Sequence, residues 1–276
     1  MRSSKFKFRP PQKTGYPPPR THWINEVVQL ILHDGDPTKL GLNHRRVCLE
    51  LQDAKDLPLV DKLKPTVELV KNDPPRRVLM THLGPSYLSK ETWTKRIPLI
   101  YIYRDPRDAA ISLYNFLANS TDGGDPVLQN ITFDMFLHTF VSGEVGFGSW
   151  CDHALGYEKL AAKGENILFV TYEDMKKDMS SVIKSIANHI GHEVNEKVTA
   201  DVVANTTVEA MRRNYVETAK SQDDNSANLS IFINKGTAGK WKTDFSDETW
   251  KKLNEAFKER VKDTTHAKNY FSYQSC

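Results

Sequence analysis

Apolar runs alternate along this chain with segments in which apolar residues recur at helical spacing. The runs 97–103 and 166–172 are rich in β-branched and aromatic residues, which is typical of buried strands, and the run 77–82, with Val78, Leu79 and Met80 at its centre, is a third candidate. Segments with helical spacing separate and follow these runs. This order predicts an α/β fold of three layers, in which a mostly parallel central sheet carries helices on both faces.

The spacing of apolar residues and the positions of capping residues predict where the helices begin and end. Thr21 can begin a helix whose apolar positions 24, 27, 28 and 31 share one face, and Asp34-Gly35 ends it. Asp174 is a candidate cap for a helix that includes residues 182–190. Further helices are predicted over about residues 106–117, 134–141, 150–162, 208–214 and 247–261.

The central apolar run ends in a turn that favours an anion. Asp105 is a good N-cap, Pro106 suits the first helical position, and Asp108 lies where the acid of a capping box would lie. Arg104 is thereby placed at the carboxyl end of a strand and beside a helix N-terminus, where open α/β sheets bind ligands. The sequence predicts an anion site at Arg104. The alternative is an ordinary βα unit whose arginine pairs with a local carboxylate.

Composition narrows the classes of function. The 276 residues include 39% hydrophobic residues, which suffices for one folded domain over 1–276 with an irregular, proline-rich leader over 1–20. A formal net charge of +3 does not favour nucleic acid as a partner. The 3 cysteines lack the spacing of metal ligands or of a disulfide framework, so neither a metal nor an oxidising compartment is expected. The N-terminus does not resemble a signal peptide, and no apolar run approaches the roughly 18 residues of a membrane span. We therefore expect a cytoplasmic protein without a membrane partner.

Several side chains are candidates for chemistry at the carboxyl ends of the predicted strands. His82 ends one strand and could act as a general base, since histidine titrates near neutrality; the alternative is a core histidine bonded to the backbone. Ser112 in the helix after Arg104 could donate to the same anion, and Tyr172 ends the third strand. The segment 232–242 is a glycine-punctuated basic loop that could approach a phosphate. The chain contains neither a G-x-x-x-x-G-K-[ST] motif nor a G-x-G-x-x-G motif after a strand, which argues against an ordinary ATPase and a dehydrogenase.

The order and spacing of these motifs resemble the cytosolic sulfotransferases. The similarity extends over about residues 21–262, and its motifs are Thr21-His22-Trp23, Thr81-His82-Leu83, Tyr103-Arg104-Asp105-Pro106-Arg107-Asp108 with Ser112, Phe147-Gly148-Ser149-Trp150 with Asp152-His153, Tyr172-Glu173-Asp174-Met175-Lys176, and Lys235-Gly236 with Gly239 and Trp241-Lys242. The resemblance implies a P-loop-NTPase-like sulfotransferase fold. It also implies transfer of a sulfuryl group from 3′-phosphoadenosine 5′-phosphosulfate (PAPS) to a hydroxyl or amine of a small molecule, without a metal.

The resemblance also implies the role of each matching residue. His82 would be the general base that takes the proton of the acceptor. Arg104 and Ser112, together with Lys235 and Gly236 from a distal loop, would bind the 3′-phosphate of PAPS.

Four further matching residues concern the rest of the nucleotide. Trp23 and Tyr172 would contact the adenine, and Thr206 would lie along the adenosine. Thr21 matches the threonine that ends the segment whose lysine and backbone N–H groups hold the 5′-phosphosulfate.

The chain departs from the family in that phosphosulfate segment. In one register Pro18 stands at the position of the family lysine and Arg20 at the glycine, and proline removes a backbone donor. In a second register Lys13 keeps the lysine, with an insertion before Thr21. Lys13 is therefore a candidate catalytic residue and Arg20 its alternative.

Two functions remain open from the sequence: an active sulfotransferase, or a sulfotransferase-like nucleotide-binding protein with impaired catalysis. The family's dimer motif is altered at Ser246-Asp247 and Lys251, so a monomer or weak homodimer is expected.

Overall fold

The computed structural model describes residues 21–41, 77–118, 131–145, 148–221, 239 and 241–271. The α-helices of these ranges are α1 (Thr21–Leu32), α2 (Lys90–Thr94), α3 (Pro106–Ala118), α4 (Phe133–Ser142), α5 (Trp150–Ala162), α6 (Tyr172–Lys177), α7 (Met179–His189), α8 (Glu196–Asn205), α9 (Val208–Ser221), α10 (Trp241–Asp244) and α11 (Asp247–Val261). The strands are β1 (Leu99–Tyr103) and β2 (Ile167–Thr171), and short 3₁₀ helices occur at Pro37–Lys39, Pro85–Tyr87 and Ala267–Phe271.

The two strands are parallel neighbours, as the sequence predicted. Leu99 pairs with Ile167 at one end of the ladder and Tyr103 with Thr171 at the other, so the strands are in register throughout. Both strands therefore end at the same edge, and the turn at Arg104 lies beside the start of α6. Parallel strands need a crossover connection, and in this chain α3, α4 and α5 lie between them in sequence.

The sheet is covered on both faces by separate hydrophobic cores. Tyr101, Tyr103 and Phe169 face a core built from α3, α4, α5, α11 and the segment 267–271. Strand residues of the opposite parity face a second core, built mainly from α1, α7 and α8; they are Ile100, Ile102, Leu168 and Val170. Because side chains alternate along a strand, apolar residues of both parities mean that the sheet is buried on both faces. This is the three-layer α/β arrangement that the sequence predicted.

The predicted strand over 77–82 is wrong in the described structure. Met80 makes an isolated β-bridge, and the residues around it are extended without a continuous ladder. Leu79 is 44% exposed, so this short run lacks the burial on both faces that its composition suggested. The segment nevertheless brings His82 to the sheet edge, as described below.

Local capping explains the helix ends, including two that differ from prediction. Thr171, not Asp174, caps a short helix, α6, because its hydroxyl accepts the Asp174 N–H. Asp178 then caps α7 by accepting from Ser181. The helix predicted over 208–214 extends to Ser221. Within the ranges described above, no helix combines the length and the apolar character that a bilayer span requires.

Candidate active site

His82 lies at the N-terminus of helix α1. Its Nε2 atom is 3.2 Å from the hydroxyl oxygen of Thr21, the first residue of that helix. The N–H groups of a first helical turn point out of the helix and favour negative charge. A titratable imidazole therefore adjoins a position suited to an anion, which is the combination needed to deprotonate a nucleophile beside an anionic group.

The backbone around His82 is held by side chains of helix α5. The Nε2 atom of His153 lies 3.1 Å from the His82 carbonyl oxygen, and the Tyr157 hydroxyl donates to the Leu83 carbonyl at 2.8 Å. Because a carbonyl only accepts, His153 donates through Nε2, and its Nδ1 accepts from the Tyr101 hydroxyl at 2.8 Å. The sequence analysis included His153 in a family motif without giving it a role, and it did not single out Tyr157; the spacing of four on one helix face was the available signal.

Helix α5 approaches the His82 segment closely because Gly156 has no side chain. A Cβ at this position would lie 2.9 Å from the Cγ of Pro85, closer than such atoms pack. The close approach allows His153, on the preceding turn, to reach the His82 carbonyl.

Trp23 and Tyr172 form an aromatic pair beside the Arg104 turn. Their ring centroids lie 5.3 Å apart in an edge-to-face arrangement, and the Trp23 indole N–H donates to the Thr206 carbonyl at 2.9 Å. The Arg104 guanidinium carbon is 5.7 Å from the Tyr172 ring centroid, and Lys176 Nζ is 5.3 Å from that of Trp23. Four of the residues predicted from the sequence therefore lie together, and Lys176 adds a second cation that no role had been assigned.

The Arg104 turn contains two arginines in different surroundings. Arg107 is bound bidentately by Asp105, with bonds of 2.7 Å and 2.6 Å, and its guanidinium carbon lies 3.8 Å from the Trp241 ring centroid. Arg104 is 7% exposed, and its Nη2 is 4.0 Å from an Asp108 oxygen. Arg104 therefore has a local carboxylate, Asp108, at ion-pair distance, as the alternative interpretation expected, while the closer pair of the turn is Arg107 with Asp105.

The predicted N-cap at Asp105 is confirmed, because its carboxylate accepts the Arg107 N–H at 2.9 Å. The capping-box interpretation of Asp108 is wrong. The Asp105 N–H donates to Glu173 at 3.3 Å, and the fully buried Asp108 carboxylate accepts instead from the Gly239 and Trp241 N–H groups. A long-range contact has replaced the local one.

Glu173 connects the turn to the C-terminal part of the described chain. One oxygen accepts from the Asp105 N–H and the other accepts from the Tyr270 hydroxyl at 2.9 Å, while the Tyr270 carbonyl accepts from Arg107. Burial raises the pKa of the Glu173 carboxyl, and these hydrogen bonds oppose the rise only in part.

The remaining predicted site residues are not tested by these contacts. Ser112 is half-buried in α3. Lys13, Lys235 and Gly236 lie outside the described residues, so their roles stay predictions. Among the residues described, no group of three or more histidine, cysteine, aspartate or glutamate side chains could hold a metal ion.

Comparison with known proteins identifies the family. The model of the sulfotransferase domain family matches residues 11–265. Sulfotransferase 1C2 of Rattus norvegicus is 30% identical over 255 residues, which cover 91% of this chain and 82% of the relative. Mouse sulfotransferase SULT7A1, solved in complex with PAP, superposes with a TM-score of 0.72 at 26% identity, covering 93% of this chain and 84% of that chain.

A further solved structure supports the fold alone. Retinol dehydratase, solved with androsterone and the inactive cofactor PAP, gives a TM-score of 0.69 at 23% identity, covering 91% of this chain and 80% of that chain. The predicted fold class is thus confirmed by two solved structures, and the domain match together with the rat relative shows that the chain belongs to the sulfotransferase family.

Proposed function

We propose that this sulfotransferase moves a sulfuryl group from PAPS to a hydroxyl or amine of a small molecule, with His82 as the general base. The observation that carries the proposal is the placement of His82 Nε2 within 3.2 Å of Thr21, at the N-terminus of α1. This position leaves a ring nitrogen of His82 beside the proposed site of the transferring group, and an imidazole nitrogen is suited to take the acceptor's proton.

The residues of this edge fit an anionic nucleotide. An aromatic pair, Trp23 and Tyr172, offers faces and edges for an adenine ring, and the buried guanidinium of Arg104 lies beside Tyr172. Thr206 holds the Trp23 indole through its carbonyl. We assign Trp23, Tyr172 and Thr206 to the adenosine and Arg104 to the 3′-phosphate. Ser112, Lys235 and Gly236 would join Arg104, as the family resemblance implies.

The reaction requires little covalent chemistry from the protein. PAPS supplies the sulfuryl group and leaves as 3′,5′-adenosine bisphosphate. The acceptor oxygen or nitrogen forms a bond to sulfur while the bond from sulfur to the 5′-phosphate oxygen breaks, and His82 Nε2 takes the acceptor's proton. The helix N-terminus at Thr21 favours the negative charge of the transferring group, so positioning and electrostatics do most of the work. Lys13, or Arg20 in the other register, would add positive charge there.

A single substitution tests the role of His82. H82A should lower kcat by about a hundredfold or more, the range for removing a general base. Its affinity for 3′,5′-adenosine bisphosphate should stay unchanged, because the imidazole serves the acceptor side of the reaction. The assay follows transfer of labelled sulfuryl groups from PAPS to a panel of phenols, alcohols and amines. H138A is the matched control, since His138 is exposed on α4.

The assay also separates this proposal from a nucleotide-binding protein without catalysis. If the wild type binds the bisphosphate but transfers no sulfuryl group to any acceptor, the second function is correct. If H82A turns over as fast as the wild type, His82 is not the base.

Family membership supports a cellular location for the reaction, and the altered dimer motif at Ser246-Asp247 and Lys251 supports an oligomeric state. We propose a cytoplasmic location and a monomer or weak homodimer, and a fluorescent fusion and sedimentation analysis would check the two.

A further inference from the structure

Asp108 connects two parts of the proposed 3′-phosphate site. The residue lies in the first turn of α3 and is 0% exposed. Its Oδ2 accepts the Gly239 N–H at 2.6 Å, and its Oδ1 accepts the Trp241 N–H at 3.1 Å. The same Oδ2 lies 4.0 Å from Arg104 Nη2. One buried carboxylate therefore contacts both the arginine and the backbone that follows Lys235 and Gly236 by three to six residues in the sequence.

We propose that Asp108 is a positioning residue for the 3′-phosphate of the nucleotide. It holds Arg104 and the backbone at Gly239 and Trp241 in the relative arrangement that binds this phosphate. The inference rests on the proposed function, in which Arg104 binds the 3′-phosphate. The proposed function itself assigns no role to Asp108.

The charges around the turn explain why the carboxylate serves both partners. Asp105 and Arg107 form a close pair at 2.6 Å and neutralise each other. Asp108 lies at ion-pair distance from Arg104, 4.0 Å away, while its two carboxyl oxygens accept from two backbone N–H groups. A carboxylate fixed by backbone amides cannot turn away, so it restrains the guanidinium beside it.

The backbone that Asp108 holds has a constrained shape. Gly239 has φ of +76°, a left-handed conformation that favours glycine. The Trp241 ring is fixed independently, because the Arg107 guanidinium lies 3.8 Å from its centroid. The end of the loop is thus anchored through backbone and ring to the same turn that carries Arg104.

The buried Asp108 carboxyl group contributes more to the arrangement of its neighbours than to the stability of the fold. Burying a carboxylate costs desolvation energy that offsets its attraction to neighbours, so the net stabilisation is small. Its two hydrogen bonds from the Gly239 and Trp241 N–H groups, however, form in only one arrangement of α3 relative to that backbone. Asparagine has nearly the same shape but replaces one acceptor with an NH₂ donor, which would face a backbone N–H donor. D108N should therefore break the connection without leaving a cavity.

The test compares two nucleotides that differ only in the 3′-phosphate. Binding of 3′,5′-adenosine bisphosphate and of 5′-AMP is measured by calorimetry for the wild type, D108N and D134N. Asp134 is the matched control, because it is also a first-turn acid, of α4, and is exposed. D108N should weaken bisphosphate binding by about tenfold or more, which is the cost of a lost hydrogen bond to a charged group. Its affinity for 5′-AMP should change by less than about twofold, and D134N should match the wild type for both.

The possible results distinguish a failure of the positioning role of Asp108 from a failure of the proposed 3′-phosphate site. Equal losses for both nucleotides would mean a merely structural role, and no loss for either would mean no role; both overturn the inference alone. A wild type that binds the bisphosphate no better than 5′-AMP overturns the 3′-phosphate site itself and the inference with it.

Hydrogen exchange tests the connection without a substitution, should D108N fail to fold. The Gly239 and Trp241 amides of the ligand-free wild type should exchange slowly, because a buried carboxylate accepts from them. Exchange as fast as that of an exposed loop would overturn the inference.

Discussion

Replacing His153 by leucine should slow catalysis without weakening nucleotide binding. His153 donates to the His82 carbonyl at 3.1 Å and accepts from the Tyr101 hydroxyl at 2.8 Å. It therefore links the segment that carries the proposed base to strand β1. Leucine has a comparable volume but makes neither bond, so the His82 segment loses one of the contacts that set its distance from Thr21.

The structure gives the size of the expected effect. Two hydrogen bonds at partly buried positions contribute about 1 kcal/mol each, so H153L should lower the free energy of unfolding by about 2 kcal/mol. A reacting group displaced by about 1 Å costs about a hundredfold in rate. Tyr157 still holds the neighbouring Leu83 carbonyl, so the displacement should be smaller. We expect kcat to fall by about ten- to a hundredfold.

Glutamine at the same position distinguishes positioning from loss of stability. Its terminal amide N–H can reach the place of the histidine Nε2 and donate to the His82 carbonyl. H153Q should therefore recover most of kcat. The measurements are kcat with saturating donor, bisphosphate affinity by calorimetry, and urea unfolding. The reasoning is refuted if H153L keeps the wild-type kcat, if H153Q is as slow as H153L, or if bisphosphate affinity falls in parallel with kcat.

Two further predictions concern the neighbouring residues. W23L should weaken binding of 3′,5′-adenosine bisphosphate and of 5′-AMP equally, by about tenfold, because a base–aromatic contact contributes about 1–3 kcal/mol; W23F should keep most of the affinity, and calorimetry that shows a loss for the bisphosphate alone would contradict the adenine contact. Glu173 has a raised pKa, so the unfolded state loses its proton first and stability falls as pH rises above the ordinary value of 4.5 and through the folded pKa. E173Q should lack this part of the decline in urea unfolding across that range, whereas E144Q, at an exposed position, should keep it.

Local chemistry made much of the fold predictable. The strands β1 and β2 are apolar runs bounded by charged and polar residues, and α5 and α11 span the residues that their spacing predicted. The N-cap residue Asp105 accepts its hydrogen bond from the N–H of Arg107, two residues further along the chain. Such features depend on neighbours in the sequence, so a reader of the sequence can find them. The run 77–82 also has an apolar centre, but Leu79 in it is exposed, and whether a run is covered on both faces is a property of the whole fold.

The parts of the candidate site that escaped prediction are contacts between distant segments. In the sequence, His153 is 71 residues from His82 and 52 residues from Tyr101, which lies in strand β1. No local sequence pattern predicts that an imidazole on α5 will donate a hydrogen bond to the backbone at His82. The resemblance assigned roles to His82, Arg104, Trp23 and Tyr172 because the matching residues of the family contact the ligand, and it assigned no role to His153. Supporting residues face other protein atoms, and their identity depends on how the elements pack.

Asp108 shows how a local rule can be satisfied in sequence and replaced in structure. At the third position of α3 an acid can bond to the N-cap N–H, a contact that contributes about 0.5–2 kcal/mol to a helix. Glu173 makes that bond, which leaves the Asp108 carboxylate for Gly239 and Trp241. The N–H of the α3 N-cap residue is thus bound by Glu173, which follows strand β2. The buried Asp108 carboxyl group instead accepts from the backbone at Gly239 and Trp241, and it lies beside Arg104. If D108N lost stability but kept the preference for a 3′-phosphate, the bonds of Asp108 to Gly239 and Trp241 would serve the fold alone.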